Sequence, residues 1–424
     1  MKTDKVTFSG IVLVGYAAFL LTLMVMPHYK YGVTYKAIMA LGLPLWGWIA
    51  LQYSAILRKN LDILLSLLAI ALISIVSDSM RSFNEALNWT FLTYLCIYSF
   101  FLLEMMMVRK NKYEIGALLI ILMAMFGYVF LQTYLELERT PGVARLLAYG
   151  TYENETINQF RSMNIGGFGF AYAIGLLTPY LAILAMRHAG MRRMVMLALW
   201  FFLFLFCFKT QYTTLIFLTT SFSIFTFTSK MKSKLWRFAL ILSIIILCLV
   251  LPALLIFFAE HTEYTMVARH FYDIAGFLEG NNLVSSRDEI YWEMFKLFLQ
   301  NPILGADLSD ANNLYWVNHS HSTFFCLLAG YGILVTFLWY FILCRIYKKI
   351  ASHLRHPKDL HVIFVMLFVL SVLNPITVFE IFVMTMLFVP LMEWFEQFSP
   401  SNTGAKVPHA PPQMLLPKEM PNGN

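Results

Sequence analysis

Charge is scarce in this sequence: 31 Lys and Arg and 24 Asp and Glu stand among 424 residues, 13% in all, roughly half the share of a soluble chain. That shortage excludes the ordinary soluble protein of two or three domains that length alone would suggest. Cysteine is scarcer. Cys96, Cys207, Cys248, Cys326 and Cys344 all fall inside apolar runs, with no C-x-x-C spacing. A disulfide framework and a cysteine-held metal are thereby excluded, and the five read as small core residues. Neither a P-loop nor an Asp-x-Asp pattern occurs, which argues against an ATP-driven pump and a metal-dependent sugar-nucleotide enzyme. The first apolar run, about Phe8 to Met26, ends in Met26-Pro27-His28 without a small-residue cleavage site. It reads as a retained span rather than a signal peptide.

What the chain has in abundance is apolar residues, 59% of the total. Runs of about 20 such residues recur from end to end, each long enough to cross roughly 30 Å of hydrocarbon. Backbone groups in lipid must be satisfied internally, so the runs are helices or strands of a closed barrel. They lack the period-2 alternation of a barrel. The expected fold is therefore all-α, a polytopic transmembrane helical bundle of about twelve spans, centred near residues 17, 46, 69, 97, 124, 175, 201, 219, 248, 333, 367 and 384.

Lys and Arg in the connections set the orientation. With the N-terminus inside, 21 of the 31 gather on one side, among them Arg58, Lys59, Arg109, Arg187, Arg345 and Lys349. The other ten, including Lys30, Arg145, Arg161, Lys209, Arg269, Arg287 and Lys296, fall outside. Both termini are thus expected in the cytoplasm, and the basic net charge of +7 reflects this split rather than nucleic-acid binding. The 35-residue run Met194 to Thr228 predicts a helical hairpin with Lys209 near its tip; that lysine either meets a ligand or snorkels to the interface. The expected organisation is spans one to nine over 1–258 with an outer loop near 136–163, a large outer loop over 259–320, spans ten to twelve over 321–395, and a Pro-rich disordered tail over 396–424.

The large outer loop carries the chemistry-bearing residues. Ile290, Met294, Leu297 and Phe298 recur at helical spacing with Glu289, Glu293 and Lys296 on other faces. This predicts an amphipathic helix that starts at Ser285 or Ser286 and stops at Asn301-Pro302. It would lie on the membrane interface or cap the bundle. Arg287 opens it. Further on, His319 and His321 precede the tenth span, at a helix N-terminus that disfavours the imidazolium and leaves a ring nitrogen able to accept a proton. Both also read as plain surface histidines. No third ligand stands at zinc spacing, so no metal is expected.

Arg287, Trp292, Pro302-Ile303-Leu304-Gly305, His321-Ser322-Thr323-Phe324 and Gly332 stand in this order and spacing. The arrangement resembles the bacterial O-antigen ligase and polymerase superfamily, membrane enzymes that handle undecaprenyl-diphosphate-linked glycans. Ser322 stands where Asn is commoner, and Lys209-Thr210 where many members carry Ser-Arg. About 50 residues carry the specific likeness. It implies a multi-pass glycosyltransferase of the bacterial inner membrane, acting on its outer face. The enzyme would polymerise lipid-linked repeat units of O-antigen, capsule or exopolysaccharide, or, as a ligase, move finished glycan to an acceptor. Arg287 and His321, with His319 as substitute, become the expected catalytic residues, and Arg145, Arg161, Lys209 and Arg269 the expected diphosphate and substrate contacts. Implied partners are the undecaprenyl-diphosphate-linked oligosaccharide, membrane lipids, and a chain-length regulator and flippase of the same pathway. No cofactor and no nucleic acid are implied. A transporter or lipid flippase is the competing class, but ionisable residues along a mid-span path, its expected mark, are few.

Overall fold

The computed structural model describes residues 7–32, 35–79, 97–147, 155–230, 286–308, 310–318 and 321–396, with isolated positions between 256 and 272. Every regular element among them is a helix. In chain order these are α1 (Phe8–Val25), α2 (Pro27–Gly32), α3 (Tyr35–Gln52), α4 (Ser54–Lys59), α5 (Leu61–Ser79), α6 (97–109), α7 (Lys112–Arg139), α8 (Val143–Leu146), α9 (Glu155–Ser162) and α10 (Phe168–Arg187). There follow α11 (Gly190–Lys209), α12 (Thr213–Lys230), α13 (Ser286–Gln300), α14 (Ala311–Asn318), α15 (Thr323–Ser352), α16 (Pro357–Leu373) and α17 (Phe379–Val383). The last continues through a π-helical turn, Met384–Phe388, into α18 (Val389–Glu396).

Five of these helices are long and apolar enough to cross a membrane: Phe8–Val25, Lys112–Arg139, Phe168–Arg187, Gly190–Lys209 and Thr323–Ser352. They account for five of the twelve expected spans. Ala40–Gln52, Leu61–Ser74 and Thr213–Ser229 are apolar but shorter. Helices also lie at the expected centres near 97, 367 and 384, short or, in the last, interrupted by the π turn. The span expected near 248, Arg269, His319 and the tail after Glu396 lie outside the described residues.

Burial sorts the helices. On α10 every residue from Gly169 to Ala185 is buried, so this helix is the bundle's centre, apolar on all sides because all sides meet protein. Neighbouring α11 is just as apolar yet buries only Phe206 and Cys207. An apolar surface left open over that length is what a lipid-facing helix presents. The α11–α12 pair forms a hairpin whose turn is Thr210–Tyr212, next to the lysine that the sequence puts at its tip.

Polar contacts divide the bundle into two ends. At one, Arg187 bridges Asp359 and Glu393 (Nη1–Oε2 2.7 Å), Tyr180 donates to Glu393 at 2.7 Å, and His188 meets Glu396 at 3.0 Å. Nearby, Glu104 pairs with His353 at 2.7 Å and Lys59 at 3.6 Å. Asp62 takes Arg345 and Lys349, and Arg109 holds Glu114 at 2.5 Å and the Tyr53 hydroxyl at 2.7 Å. At the opposite end Lys30 holds both oxygens of Glu380, at 2.8 and 2.9 Å, with both side chains 4% exposed. There too Thr133 receives the Gly166 N–H at 2.7 Å, and Asn164 receives that of His28 at 3.1 Å. The first end gathers cations that the sequence assigns inside, the second those it assigns outside.

Candidate functional site

The helix expected from the pattern 285–300 is present as α13, ending before Pro302 as its sequence requires. Met294 and Leu297 are buried, in one apolar cluster with Ala306, Leu308, Val317 and Ala329. The amphipathic face therefore packs on protein, the start of α15, rather than on lipid. Tyr291 stacks on Phe325, ring centroids 4.6 Å apart and 17° from parallel. Trp292 faces outward with the Lys296 ammonium 5.8 Å from its ring.

The join between the two is made of backbone. Gly332 breaks α15 at φ 77°, ψ −178°, a region that only glycine occupies readily. In an unbroken helix the Ile333 N–H would bond the Ala329 carbonyl four residues earlier. Here the Pro302–Ala306 turn stands between them: Ala306 N–H donates to the Ala329 carbonyl at 2.7 Å, and Ile333 N–H to the Pro302 carbonyl at 2.9 Å. These two groups, which an unbroken helix would pair with each other, thus each find a partner in the turn. The approach is so close that a Cβ on Gly305, itself at φ 82°, would strike the Gly330 backbone, and one on Gly332 would strike that of Ile303. The Pro302-x-x-Gly305 turn and Gly332, 27 residues apart in sequence, are two halves of one clasp.

The break bends α15 sharply. Phe324 and Tyr340 have ring centroids 6.0 Å apart, although sixteen residues of straight helix would separate their backbones by about 24 Å. The arm after Gly332 runs beside α16: Tyr347 contacts Phe364 and Tyr340 contacts Phe368, at centroid distances of 4.8 and 5.5 Å. The arm before it folds back so that its first residues meet the end of α16. Thr323 N–H donates to the Asn374 carbonyl at 3.4 Å, and Thr323 Oγ1 receives the Ile376 N–H at 2.8 Å. Ser322 caps the arm by accepting the Phe325 N–H at 3.2 Å and donates to the Ser371 carbonyl at 3.3 Å. His321, just ahead of the cap, is exposed and held at φ 48°, an uncommon conformation for a residue other than glycine.

Arg287 and His321 are therefore carried by two elements that touch. Arg287 is the second residue of α13, one turn before the Tyr291 that stacks on the His321 arm; only its backbone is described.

Arg145 and Lys209 meet at a separate place. Arg145, half-buried on α8, donates to the Gln211 carbonyl at 3.3 Å, and Tyr212 donates to the Ala144 carbonyl at 2.7 Å. The hairpin tip is thus fastened to α8. Lys209 pairs with Glu138 and lies 4.8 Å from the Tyr134 ring, so its charge is locally balanced. Arg161 lies on α9, which packs against α2, the helix of Lys30.

Three features go beyond what the sequence reading drew: the backbone clasp, the Lys30–Glu380 pair, and Asn374, a buried residue whose carbonyl meets the His321 arm. The first had a signal, Pro302-x-x-Gly305 and Gly330-x-Gly332. The others pair residues too far apart in sequence for periodicity to connect. No protein-family model matches this chain, and no curated protein matches it.

Proposed function

We propose that this chain is a multi-pass glycosyltransferase of the bacterial inner membrane that polymerises lipid-linked oligosaccharide repeat units on the outer face. In this reading the chain has about twelve spans and both termini in the cytoplasm. The observation that carries the proposal is the clasp: the parts of the family-like pattern, dispersed from Arg287 to Gly332, lie on segments that pack against one another. The orientation draws support from the two ends of the bundle. The end holding Lys59, Arg109, Arg187, Arg345 and Lys349 is the cytoplasmic one, and Lys30, Arg145, Arg161 and Lys209 mark the outer one. From Ile333 to Ser352 the second arm of α15 has 20 residues, about 30 Å of helix, which matches the hydrocarbon thickness. The first arm, α13 and α14 then lie at the outer surface.

In the reaction, an acceptor sugar hydroxyl attacks the anomeric carbon of the donor, a new glycosidic bond forms, and the bond to the polyprenyl diphosphate breaks. The diphosphate leaves with the bonding electrons and is already a good leaving group. The protein must supply fixed positive charge for it and a base for the hydroxyl proton. Arg287 suits the first task because guanidinium binds phosphate oxygens bidentately and keeps its proton; each such contact contributes about 1.5–3 kcal/mol. His321 suits the second, since the helix N-terminus beside it favours the neutral ring. Arg161 and Arg145 remain candidates for further diphosphate contacts, with Lys209 behind them.

The test is surface polysaccharide chain length by gel in cells lacking the protein, complemented with wild type or Arg287→Ala. A ladder that collapses to one repeat and returns with wild type but not with Arg287→Ala supports polymerisation. Long polymer accumulating on its lipid carrier instead identifies a ligase. A ladder that never changes refutes both and brings the transport reading forward.

A further inference from the structure

The face of α13 that packs on protein is not its only apolar face. Trp292, Phe295 and Leu299 stand at i, i+3 and i+7 and line a second strip of the helix, turned away from buried Met294 and Leu297. All three are exposed, as is Ile303 in the turn that follows; Trp292, Leu299 and Ile303 each leave more than half of their surface open. A third strip is polar: Glu289, Lys296 and Gln300 are exposed, and Lys296 pairs with Glu293 at 2.7 Å. Single exposed apolar residues need no explanation, but a contiguous row with a tryptophan in it marks a surface that meets something other than water.

Two contacts set the level of this strip relative to the second, spanning arm of α15. At the C-terminal end of α13 the turn meets the start of that arm, since the Pro302 carbonyl receives the Ile333 N–H. Towards the other end Tyr291 stacks on Phe325, and Phe324 beside it reaches Tyr340, about 12 Å along the arm from Gly332. The helix therefore lies alongside the Gly332 end of the arm instead of standing off it. Ile333, Leu334 and Phe337 of the arm are exposed, so open apolar side chains flank the junction on both segments.

We infer that α13 is an interfacial helix: one face packs on the fold-back of α15, and the Trp292, Phe295 and Leu299 face seats in the headgroup–acyl boundary of the leaflet at that end of the bundle. Lipid is the occupant rather than a second copy of the chain, because a protein partner at this level would have to enter the bilayer to meet a single row of side chains. The composition suits lipid. The Lys296 ammonium lies 5.8 Å from the Trp292 ring, and such a pair spans the boundary, with the ring at the acyl edge and the charge among headgroups. The inference rests on α15 crossing a membrane and not on glycosyl transfer. Seated in this way, the helix that carries Arg287 is held between the fold-back and the bilayer.

The experiment uses the full chain in a cysteine-free background, reconstituted in nanodiscs of phosphatidylcholine and phosphatidylglycerol. Phe295→Cys and Leu299→Cys on the strip, Glu289→Cys on the polar side and Phe337→Cys on α15 each carry a nitrobenzoxadiazole label. The label is quenched from the lipid by a nitroxide near the headgroup end of an acyl chain, and from water by iodide. The strip labels should be quenched about threefold more by the nitroxide than the Glu289→Cys label, and correspondingly less by iodide. Trp292→Phe keeps an aromatic ring and gives a reading without a label: the tryptophan emission it removes should be of the lipid-quenched kind. Strip positions as open to iodide as Glu289→Cys put the face in water and overturn the inference. Strip positions shielded from both quenchers, or lipid quenching that disappears when a disc holds two copies, make it a protein contact and overturn it as well. A Phe337→Cys label that the nitroxide leaves bright removes the spanning reading of α15, and this inference with it.

Discussion

Ala329 and Ile333, four residues apart on one helix, do not bond to each other; each instead bonds to the Pro302–Ala306 turn, which enters the helix between them. Broken helices in membrane proteins are tolerated where other groups satisfy the freed backbone, and here the turn satisfies two of the freed groups, the Ala329 carbonyl and the Ile333 N–H. The insertion also rigidly ties the helix that carries Arg287 to the arm that carries His321.

Gly305 and Gly332 should tolerate no side chain. Gly332→Ala faces a conformational cost of about 1–3 kcal/mol plus collision with the Ile303 backbone, and Gly305→Ala a similar collision with Gly330. Both should make the 286–318 segment open to protease added from outside and lower the melting temperature. Gly127→Ala is the control. Its added methyl would meet nothing within 4 Å, and in mid-helix it should be neutral or stabilising by up to about 1 kcal/mol.

The buried ion pairs should be costly to break singly. Arg187→Met leaves Asp359 and Glu393, both buried, without their cation, and should lose about 3–5 kcal/mol. Lys30→Met should behave alike, because Glu380 would be stranded. The double variant Lys30→Met/Glu380→Met should recover most of the loss, as replacing both buried partners with apolar groups often does. Thermal unfolding in detergent checks all three. Lys296→Met, which removes a surface pair with Glu293 and the contact with the exposed Trp292 ring, should change stability by no more than about 1 kcal/mol.

Cysteine labelling tests the orientation. In a cysteine-free background, Glu289→Cys on exposed α13 should react with a membrane-impermeant maleimide in intact spheroplasts. Ser352→Cys, exposed at the other end of α15, should react only after lysis. The opposite pattern would invert the topology and place the clasp in the cytoplasm.

Lys209 should matter less than Arg287. Because Glu138 already balances its charge, Lys209→Gln should leave the polysaccharide ladder close to wild type, measured on the same gels as Arg287→Ala. A collapse equal to that of Arg287→Ala would instead make the hairpin tip part of the diphosphate site.

Much of the helical layout was legible because apolar length and turn residues act locally. Asn301-Pro302 stops α13, and the polar Lys209-Thr210-Gln211 interruption divides a 35-residue apolar run into two helices. The apolar face of α13 was legible too, from Met294 and Leu297, although its packing partner was not. Long-range pairings left little trace. Lys30 and Glu380 are 350 residues apart, and only the folded bundle shows that one neutralises the other. The thirty-residue length of α15 hid its fold-back, since an apolar run reads the same whether straight or bent. Of the candidate site, the residue types around Arg287 and His321 were legible. The packing of the two segments that carry them was not, because it depends on backbone bonds that any sequence could make, given two glycines free to adopt positive φ.

The most direct measurement is made on purified full-length protein in lipid nanodiscs given undecaprenyl-diphosphate-linked repeat units, without any nucleotide. Longer lipid-linked glycan should form with release of one undecaprenyl diphosphate per bond made, and Arg287→Ala and His321→Ala should abolish both. Correctly folded wild-type protein that leaves the repeat units unjoined, or moves them across a bilayer unchanged, would contradict glycosyl transfer.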